Sequence, residues 1–180
     1  MIVCNGASKT GTHLLLKAVY LFGSVGFTAT HAHKKYGSKI YGKHIHIKRN
    51  PRNVLISWLR FTGQDLTDKN LLRNMPHVIN EMNEYLGWLN DKDTLNVSFE
   101  NLLTDEKEIK RISDFIEVPL SADHFRKLWG DTPTFTNSLS NWRESFSDKI
   151  KKEWGLMGGH ELERLLGYAP DSESIKVRKV

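Results

Sequence analysis

A loop near the start of the chain, residues 6–12, has the composition needed to bind a phosphate group. Its sequence is Gly-Ala-Ser-Lys-Thr-Gly-Thr, and it stands between a short apolar segment and an amphipathic one. A strand-to-helix turn of this kind directs backbone N–H groups and a helix N-terminus at one point, and Lys9 adds a positive charge. The lysine precedes the second glycine, so the loop differs from the Walker A pattern. We expect an anion here; the alternative is an ordinary turn with a solvated lysine.

A second cationic segment, residues 48–58, has the sequence Lys-Arg-Asn-Pro-Arg-Asn-Val-Leu-Ile-Ser-Trp. Asn50 can cap a helix and Pro51 suits its first position, which places Arg49 at a strand end beside a helix N-terminus. Ser57 then lies about two turns into that helix. Ligand sites of α/β sheets lie at the carboxyl ends of strands, so two cationic strand ends predict a site for two separate phosphates. An arginine exposed at the surface is the alternative for Arg49.

Two pairs of histidines could also do chemistry. His31 and His33 follow a predicted strand, and an imidazole with a pKa of about 6.5 can accept a hydroxyl proton at neutral pH. His44 and His46 alternate along another strand and therefore share a face. Two such pairs could bind a metal, but no cysteine or carboxylate nearby completes a ligand set. We expect no metal, and we expect His44 and His46 to face outward.

Strands and helices alternate along the chain, and these elements must position the residues above. Apolar spacing predicts strands at residues 1–4, 27–30, 45–48 and 94–99. Apolar spacing and helix caps predict helices at residues 12–22, 75–89 and 105–116, and a further helix that starts at residue 51. Such alternation predicts the α/β class, with a central parallel sheet flanked by helices. We expect one domain over residues 1–168, followed by a tail at residues 169–180.

Charge and cysteine content restrict the class of protein further. The chain has 26 basic and 21 acidic residues, and the eight lysines and arginines of residues 34–60 are accompanied by no acid. A surplus placed in this way attracts a phosphorylated cofactor or another polyanion. A single cysteine, Cys4, and the lack of an apolar run of roughly 20 residues predict a cytoplasmic protein without a disulfide or a membrane span.

The two phosphate-binding motifs together resemble those of the sulfotransferases that use 3′-phosphoadenosine 5′-phosphosulfate (PAPS). Residues 8–15, Ser-Lys-Thr-Gly-Thr-His-Leu-Leu, are similar to the family's 5′-phosphosulfate loop. Residues 49–57 are similar to its 3′-phosphate motif, in which an arginine and a serine stand eight positions apart. Residues 95–102 and the helix after them resemble the next part of the family's pattern, with Phe99 at a usual tyrosine. The resemblance covers about residues 1–168 and implies a P-loop-like nucleotide-binding core.

The resemblance also implies a role for each matched residue. Lys9 would neutralise charge on the leaving phosphate, and His31, which matches the family's Thr-His pattern, or His33 would be the general base. The implied catalytic residues are thus Lys9, His31, His33 and Ser57. The implied cofactor-binding residues are Ser8, Lys9, Thr10, Gly11, Thr12, His13, Arg49, Ser57, Trp142 and Arg143.

Two parts of the family's pattern are missing from this sequence. The basic pair and glycine that precede a tryptophan would fall near residues 135–137, which are Phe-Thr-Asn. We therefore expect the 3′-phosphate to be held with fewer charges, or by Arg143 or Arg52 instead. The chain also starts at the first predicted strand, so we expect no counterpart of the family's N-terminal acceptor-site segment.

The sequence therefore predicts an enzyme, a PAPS-dependent sulfotransferase that needs no metal. It would transfer a sulfuryl group to a hydroxyl or amine of a small molecule, carbohydrate or lipid, and release 3′,5′-adenosine bisphosphate (PAP). One alternative is a P-loop nucleotide kinase, which the displaced lysine and the lack of a Mg²⁺-binding aspartate disfavour. The other is a non-catalytic nucleic-acid-binding module that uses residues 34–60, although we expect no nucleic acid as a partner.

Overall fold

Parallel strands form the centre of the fold in this computed structural model, which describes residues 1–23, 27–30, 41–128 and 142–169. The described sheet has the order β2-β1-β3-β4, and β1 pairs with both β2 and β3. The strands are β1 (Ile2–Asn5), β2 (Phe27–Thr30), β3 (Lys43–Lys48) and β4 (Thr94–Ser98). All three pairings are parallel, which confirms the predicted α/β class.

Helices connect and cover these strands. Their bounds are α1 (Thr12–Gly23), α2 (Pro51–Phe61), α3 (Asp68–Glu84), α4 (Glu106–Ile116), α5 (Ala122–Leu128), α6 (Asp148–Leu156) and α7 (Gly159–Leu165). Short 3₁₀ helices lie at Leu86–Trp88, Phe99–Leu103 and Trp142–Glu144. Within the described part of the chain, no helix combines the length and the apolar character that a membrane span requires.

The helix predicted at residues 75–89 was wrong at both ends. Thr67 caps α3 by accepting a hydrogen bond from the Asn70 N–H, so the helix starts at Asp68. Pro76 lies inside the helix and is exposed to solvent. After Glu84 the chain tightens into the 3₁₀ turn Leu86–Trp88, and the sequence spacing did not distinguish that turn from a continued helix.

Two hydrophobic clusters hold the sheet between them. One joins the sheet to α1, α4 and α5 and includes Ile45, Ile47 and Phe125. The other lies among α2, α3, α6 and α7 and includes Leu55 and Trp154. Because β3 is an interior strand, side chains on both of its faces are buried.

The prediction that His44 and His46 face outward was therefore wrong. They are 8% and 2% exposed, and their rings stack on Trp88 and Tyr85 at centroid distances of 5.0 and 6.3 Å. Burial lowers the pKa of His46 to about 4, so the ring is neutral and its Nδ1 donates to Asn96 Oδ1 at 2.9 Å. Among the described residues, no three His, Cys, Asp or Glu side chains are grouped as metal ligands.

Candidate cofactor and active site

The loop between β1 and α1 takes the tight form expected of a phosphate-binding turn. A Cβ atom added to Gly6 would lie 2.6 Å from Thr10 Oγ1 and 2.8 Å from the Ile47 backbone oxygen, so a larger residue does not fit there. The Thr10 hydroxyl donates to the Ala7 carbonyl at 2.7 Å and closes the turn. Thr12 starts α1, and the loop therefore ends at a helix N-terminus, as predicted.

Lys9 occupies an unusual position within this loop. Its φ is +66°, in the left-handed region that non-glycine residues seldom adopt. Its ammonium lies 4.2 Å from the centre of the Phe61 ring at the end of α2. Burial and, secondarily, the charge of Arg49 lower the pKa of Lys9 to about 8. A bound anion would offset both effects, so the loop is arranged to favour one.

Arg49 connects the second cationic segment to this loop. It follows β3 and is 4% exposed, so the alternative of an arginine at the surface is wrong. Its Nη1 donates to the Lys9 carbonyl at 3.0 Å, and its guanidinium carbon lies 4.3 Å from the centre of the Phe99 ring. Burial lowers the pKa of Arg49 to about 10, and Glu100 opposes that shift. The two predicted motifs thus meet at one place.

Local capping sets the direction of α2, which carries Ser57. The Asn50 side chain accepts hydrogen bonds from the backbone N–H groups of Arg52 and Asn53 at 3.0 and 3.4 Å, and Pro51 occupies the first helical position. This confirms the predicted helix start. Ser57 is buried about two turns into the helix.

Arg52, three residues after Arg49, is bound to the C-terminal helices instead. It is 1% exposed, and its Nε and Nη2 lie 2.7 and 2.9 Å from the carboxylate of Glu163, which is 0% exposed. Its guanidinium also lies 3.9 Å from the centre of the Trp142 ring. Arg52 is therefore engaged with Glu163, and Arg143 is the other residue expected to replace the missing basic pair.

The predicted pair Trp142 and Arg143 opens the 3₁₀ helix Trp142–Glu144. Trp142 is buried against Arg52 and packs edge to face on Phe146, with ring centroids 5.4 Å apart. Arg143 is half-buried, and its guanidinium lies 4.5 Å from the centre of the Trp142 ring. Trp142 thus links the Arg52 ion pair to the segment that carries Arg143.

Replacing Arg52 by glutamine is expected to destabilise the protein by about 3–5 kcal/mol, because Glu163 would stay buried without its cation. Urea unfolding measures this loss. The matched control is Arg164→Gln, which breaks an exposed ion pair with Glu161 on α7 and should barely move the midpoint. The double variant Arg52→Met/Glu163→Met, which removes both charges, should recover much of the stability. Equal losses for Arg52→Gln and Arg164→Gln would contradict this account.

Glu81 is a residue of the site that the sequence analysis missed. Its Oε1 accepts a hydrogen bond from the Ser8 backbone N–H at 2.8 Å, which ties α3 to the loop. His77, one turn earlier, places its Nε2 3.8 Å from the other Glu81 oxygen. Ser8 was expected to bind the cofactor, but its backbone donor is used by Glu81 in this structure. Glu81 is 73 residues away from Ser8, and no local pattern marks it.

Glu100 and Tyr168 are also part of the site. Glu100 accepts hydrogen bonds from the Asn50 N–H at 2.9 Å, the Ser98 hydroxyl at 2.8 Å and the Tyr168 hydroxyl at 2.7 Å. Burial, reinforced by Glu100, raises the pKa of Tyr168 well above its ordinary range. The C-terminal segment is thereby anchored beside Arg49. The resemblance of residues 95–102 to the family's strand end was the available signal for Glu100.

His31 and His33 lie outside the described residues. The strand before them, β2, ends at Thr30, and the Cα of Thr30 pairs with that of Asn5 at the end of β1. The described end of β2 is thus at the same sheet edge as the loop. His13, another expected ligand, lies in the first turn of α1 and is half-buried.

The residues of the loop fit a phosphate group, such as the 5′-phosphate of 3′,5′-adenosine bisphosphate. The Thr12 hydroxyl is buried at the N-terminus of α1 and has no hydrogen-bond partner in the described part of the chain. Gly6 has no room for a Cβ atom, and Lys9 is half-buried, with its pKa lowered by that burial. A phosphate at the loop would supply an acceptor for the hydroxyl and a counter-charge for the lysine.

A comparison with known protein families matches most of the chain to one of them. The family model named sulfotransferase domain matches residues 27–164, a range that begins after the loop at residues 6–12. No curated protein matches the chain.

Two solved structures are similar in fold, each at 15% sequence identity. The mouse sulfotransferase SULT7A1, complexed with PAP, has a TM-score of 0.69 and matches over 91% of this chain and 83% of its own. Retinol dehydratase, in complex with androsterone and the inactive cofactor PAP, has a TM-score of 0.53 and matches over 96% of this chain and 71% of its own. Since the sulfotransferase-domain match covers most of the residues and these folds agree with it, the chain belongs to the sulfotransferase family, as its two phosphate-binding motifs predicted.

Proposed function

We propose that the protein transfers a sulfuryl group from PAPS to a hydroxyl or amine of a small-molecule, carbohydrate or lipid acceptor and releases PAP. The protein is a transferase of the sulfotransferase family and its donor is PAPS, so the two alternative functions, nucleotide kinase and nucleic-acid-binding module, are set aside. The observation that carries our assignment of the site is the hydrogen bond between Arg49 and Lys9, because it brings both cationic segments to one place.

The loop residues would hold the 5′ end of the donor. PAPS supplies an electrophilic sulfuryl group on a phosphate leaving group. Lys9 would neutralise the charge that develops on that phosphate, which is the kind of electrostatic stabilisation that lowers a barrier most. Backbone N–H groups at the N-terminus of α1 would bind the 5′-phosphate, and the residues concerned are Thr10, Gly11, Thr12 and His13.

The start of α2 would hold the 3′-phosphate. Arg49 supplies a buried cation next to the helix N-terminus, and Ser57 supplies a hydroxyl from the same helix. Arg143 is proposed to add a second charge, with Trp142 fixing its position. Charge-assisted hydrogen bonds of this kind are about twice as strong as neutral ones.

The general base is proposed to be His31 or His33. A neutral imidazole would accept the proton of the acceptor hydroxyl as its oxygen attacks sulfur. We also propose that residues 1–168 form one catalytic domain followed by a tail, which the anchoring of Tyr168 on Glu100 supports. A cytoplasmic location is proposed as well, which the single free and buried cysteine, Cys4, supports.

PAP is expected to stabilise the protein far more than AMP does. A ligand at 100 times its dissociation constant adds about 2.7 kcal/mol to the free energy of unfolding, and PAP engages two cationic sites where AMP engages one. Thermal unfolding with each ligand at the same concentration measures the difference. Adenosine 2′,5′-bisphosphate is the matched control, because it carries the same groups with one phosphate moved. Equal shifts for PAP and AMP would contradict the assignment of Arg49 and Ser57.

A further inference from the structure

The contact between Arg49 and Lys9 involves the main chain of the lysine. Arg49 Nη1 donates to the Lys9 carbonyl at 3.0 Å, across 40 residues of sequence. The guanidinium is buried, and a hydrogen bond from a charged donor is strong where water does not compete for it. Arg49 therefore restrains the peptide unit of Lys9 directly.

The conformation of Lys9 needs such a restraint. A non-glycine residue at a φ of +66° is strained, and strain of this kind persists only where surrounding contacts hold it. The next residue contributes through the Thr10 hydroxyl, which donates to the Ala7 carbonyl. The Lys9 carbonyl itself is held by Arg49, so the direction of the lysine side chain depends on the arginine.

Phe99 contacts both Arg49 and the loop at Gly11. Its ring lies 4.3 Å from the Arg49 guanidinium carbon, and it packs so closely on Gly11 that no Cβ atom fits at that position. Gly11 has a φ of +105° and lies two residues after Lys9. Arg49, Phe99 and the loop are thus one packed unit, and a shift of Arg49 would be felt at both Lys9 and Gly11.

We propose that Arg49 is a positioning residue for Lys9 in addition to binding the 3′-phosphate, so that it shapes the 5′ half of the site through the main chain. This inference rests on the proposed function. It predicts that changing Arg49 weakens the binding of ligands that have no 3′-phosphate at all. An arginine that only bound the 3′-phosphate would leave such ligands unaffected.

The test measures the affinity of AMP and PAP for wild type, Arg49→Lys and Ser57→Ala by isothermal titration calorimetry. Arg49→Lys keeps a positive charge beside Glu100, so the half-buried carboxylate retains a cation. It loses the planar fork that donates to Lys9 while stacking on Phe99. We expect Arg49→Lys to bind AMP roughly tenfold more weakly, the usual effect of losing a charged hydrogen bond. Ser57→Ala, on α2 directly after Arg49, should weaken the binding of PAP and leave that of AMP unchanged.

A pH profile provides a second readout, taken together with the unfolding temperature of each variant, which reports any general loosening of the fold. The charge of Arg49 contributes to lowering the pKa of Lys9. In Arg49→Gln the alkaline fall of kcat/KM should therefore move to higher pH, whereas Arg164→Gln, which removes an exposed charge on α7, should keep the wild-type profile.

Three results of these experiments would contradict the inference about Arg49, and a fourth would contradict the proposed function. If Arg49→Lys binds AMP as wild type does, or if Ser57→Ala loses AMP to the same extent, the inference is overturned. An unchanged alkaline fall in Arg49→Gln would overturn it too. The proposed function fails separately, if wild-type protein binds PAP no better than AMP.

Discussion

Replacing Lys9 by methionine is expected to lower kcat by roughly 10²–10³-fold at saturating PAPS, the usual loss when one electrostatic stabiliser of a transition state is removed. The affinity for PAP should fall by less, because the ammonium is needed most as the leaving phosphate gains charge. Methionine keeps a long side chain over the Phe61 ring, which Lys9 contacts at 4.2 Å, and thus removes little besides the charge.

The activity of the wild-type protein should fall at alkaline pH as Lys9 loses its proton. Lys9 acts in its protonated form, and its pKa is lowered to about 8, so kcat/KM for PAPS should fall as the pH rises through about 8. A bound anion favours the charged lysine, and the corresponding fall in kcat should lie at higher pH. In Lys9→Met both falls should disappear.

The control for Lys9 is Lys69→Met, which removes one exposed charge from α3. It should keep wild-type kcat and the alkaline fall. Steady-state rates with PAPS measure the effect of each variant on kcat, and calorimetric binding of PAP measures its effect on affinity. If Lys9→Met changed PAP affinity alone and left kcat as in wild type, the role assigned to Lys9 in the chemical step would be wrong.

Removing the general base is expected to lower the rate by about 10²–10⁴-fold while PAP binding stays intact. We expect this loss for His31→Ala or His33→Ala, and the Thr-His pattern favours His31. The true base should also be responsible for a rise in activity as the pH passes through about 6.5, the ordinary histidine value. The variant that lacks the base should lose this rise, and the other variant should keep it.

His77→Gln belongs in the same experiment. His77 lies beside Glu81, whose carboxylate contacts the loop at Ser8, so it is an imidazole near the site that sequence spacing did not suggest. His124→Gln, on α5, is the matched control. A loss of rate and of the acid-side rise in His77→Gln, with His31→Ala and His33→Ala both within a few-fold of wild type, would refute the proposed base.

Short-range features of this protein could be predicted from sequence because their causes are local. The Asn50-Pro51 pair starts α2 through a side-chain cap and a fixed φ, both of which act within a few residues. The Gly6–Thr12 turn follows from a strand, a glycine-rich loop and an amphipathic helix in succession. These local signals, together with the alternation of strands and helices, were enough to predict the α/β fold and the two cationic strand ends.

The burial of a side chain depends on distant parts of the chain, and it was predicted wrongly for His44 and His46. His44 and His46 alternate with isoleucines, a pattern that also fits a strand with one face in water. They are buried because β3 lies inside the sheet, with Trp88 and Tyr85 covering the histidine face. Strand order depends on how distant segments pair, and the spacing within one strand does not contain that information.

Residue types and their spacing identify the side chains that could bind two phosphates, and the tertiary packing fixes which partner each of them has. Arg49 and Arg52 stand three positions apart in one cationic segment, yet Arg49 donates to Lys9 and Arg52 pairs with Glu163. Their partners lie 40 and 111 residues away. A buried guanidinium needs a nearby carboxylate or carbonyl, and which one it meets depends on the packing of the helices around the sheet.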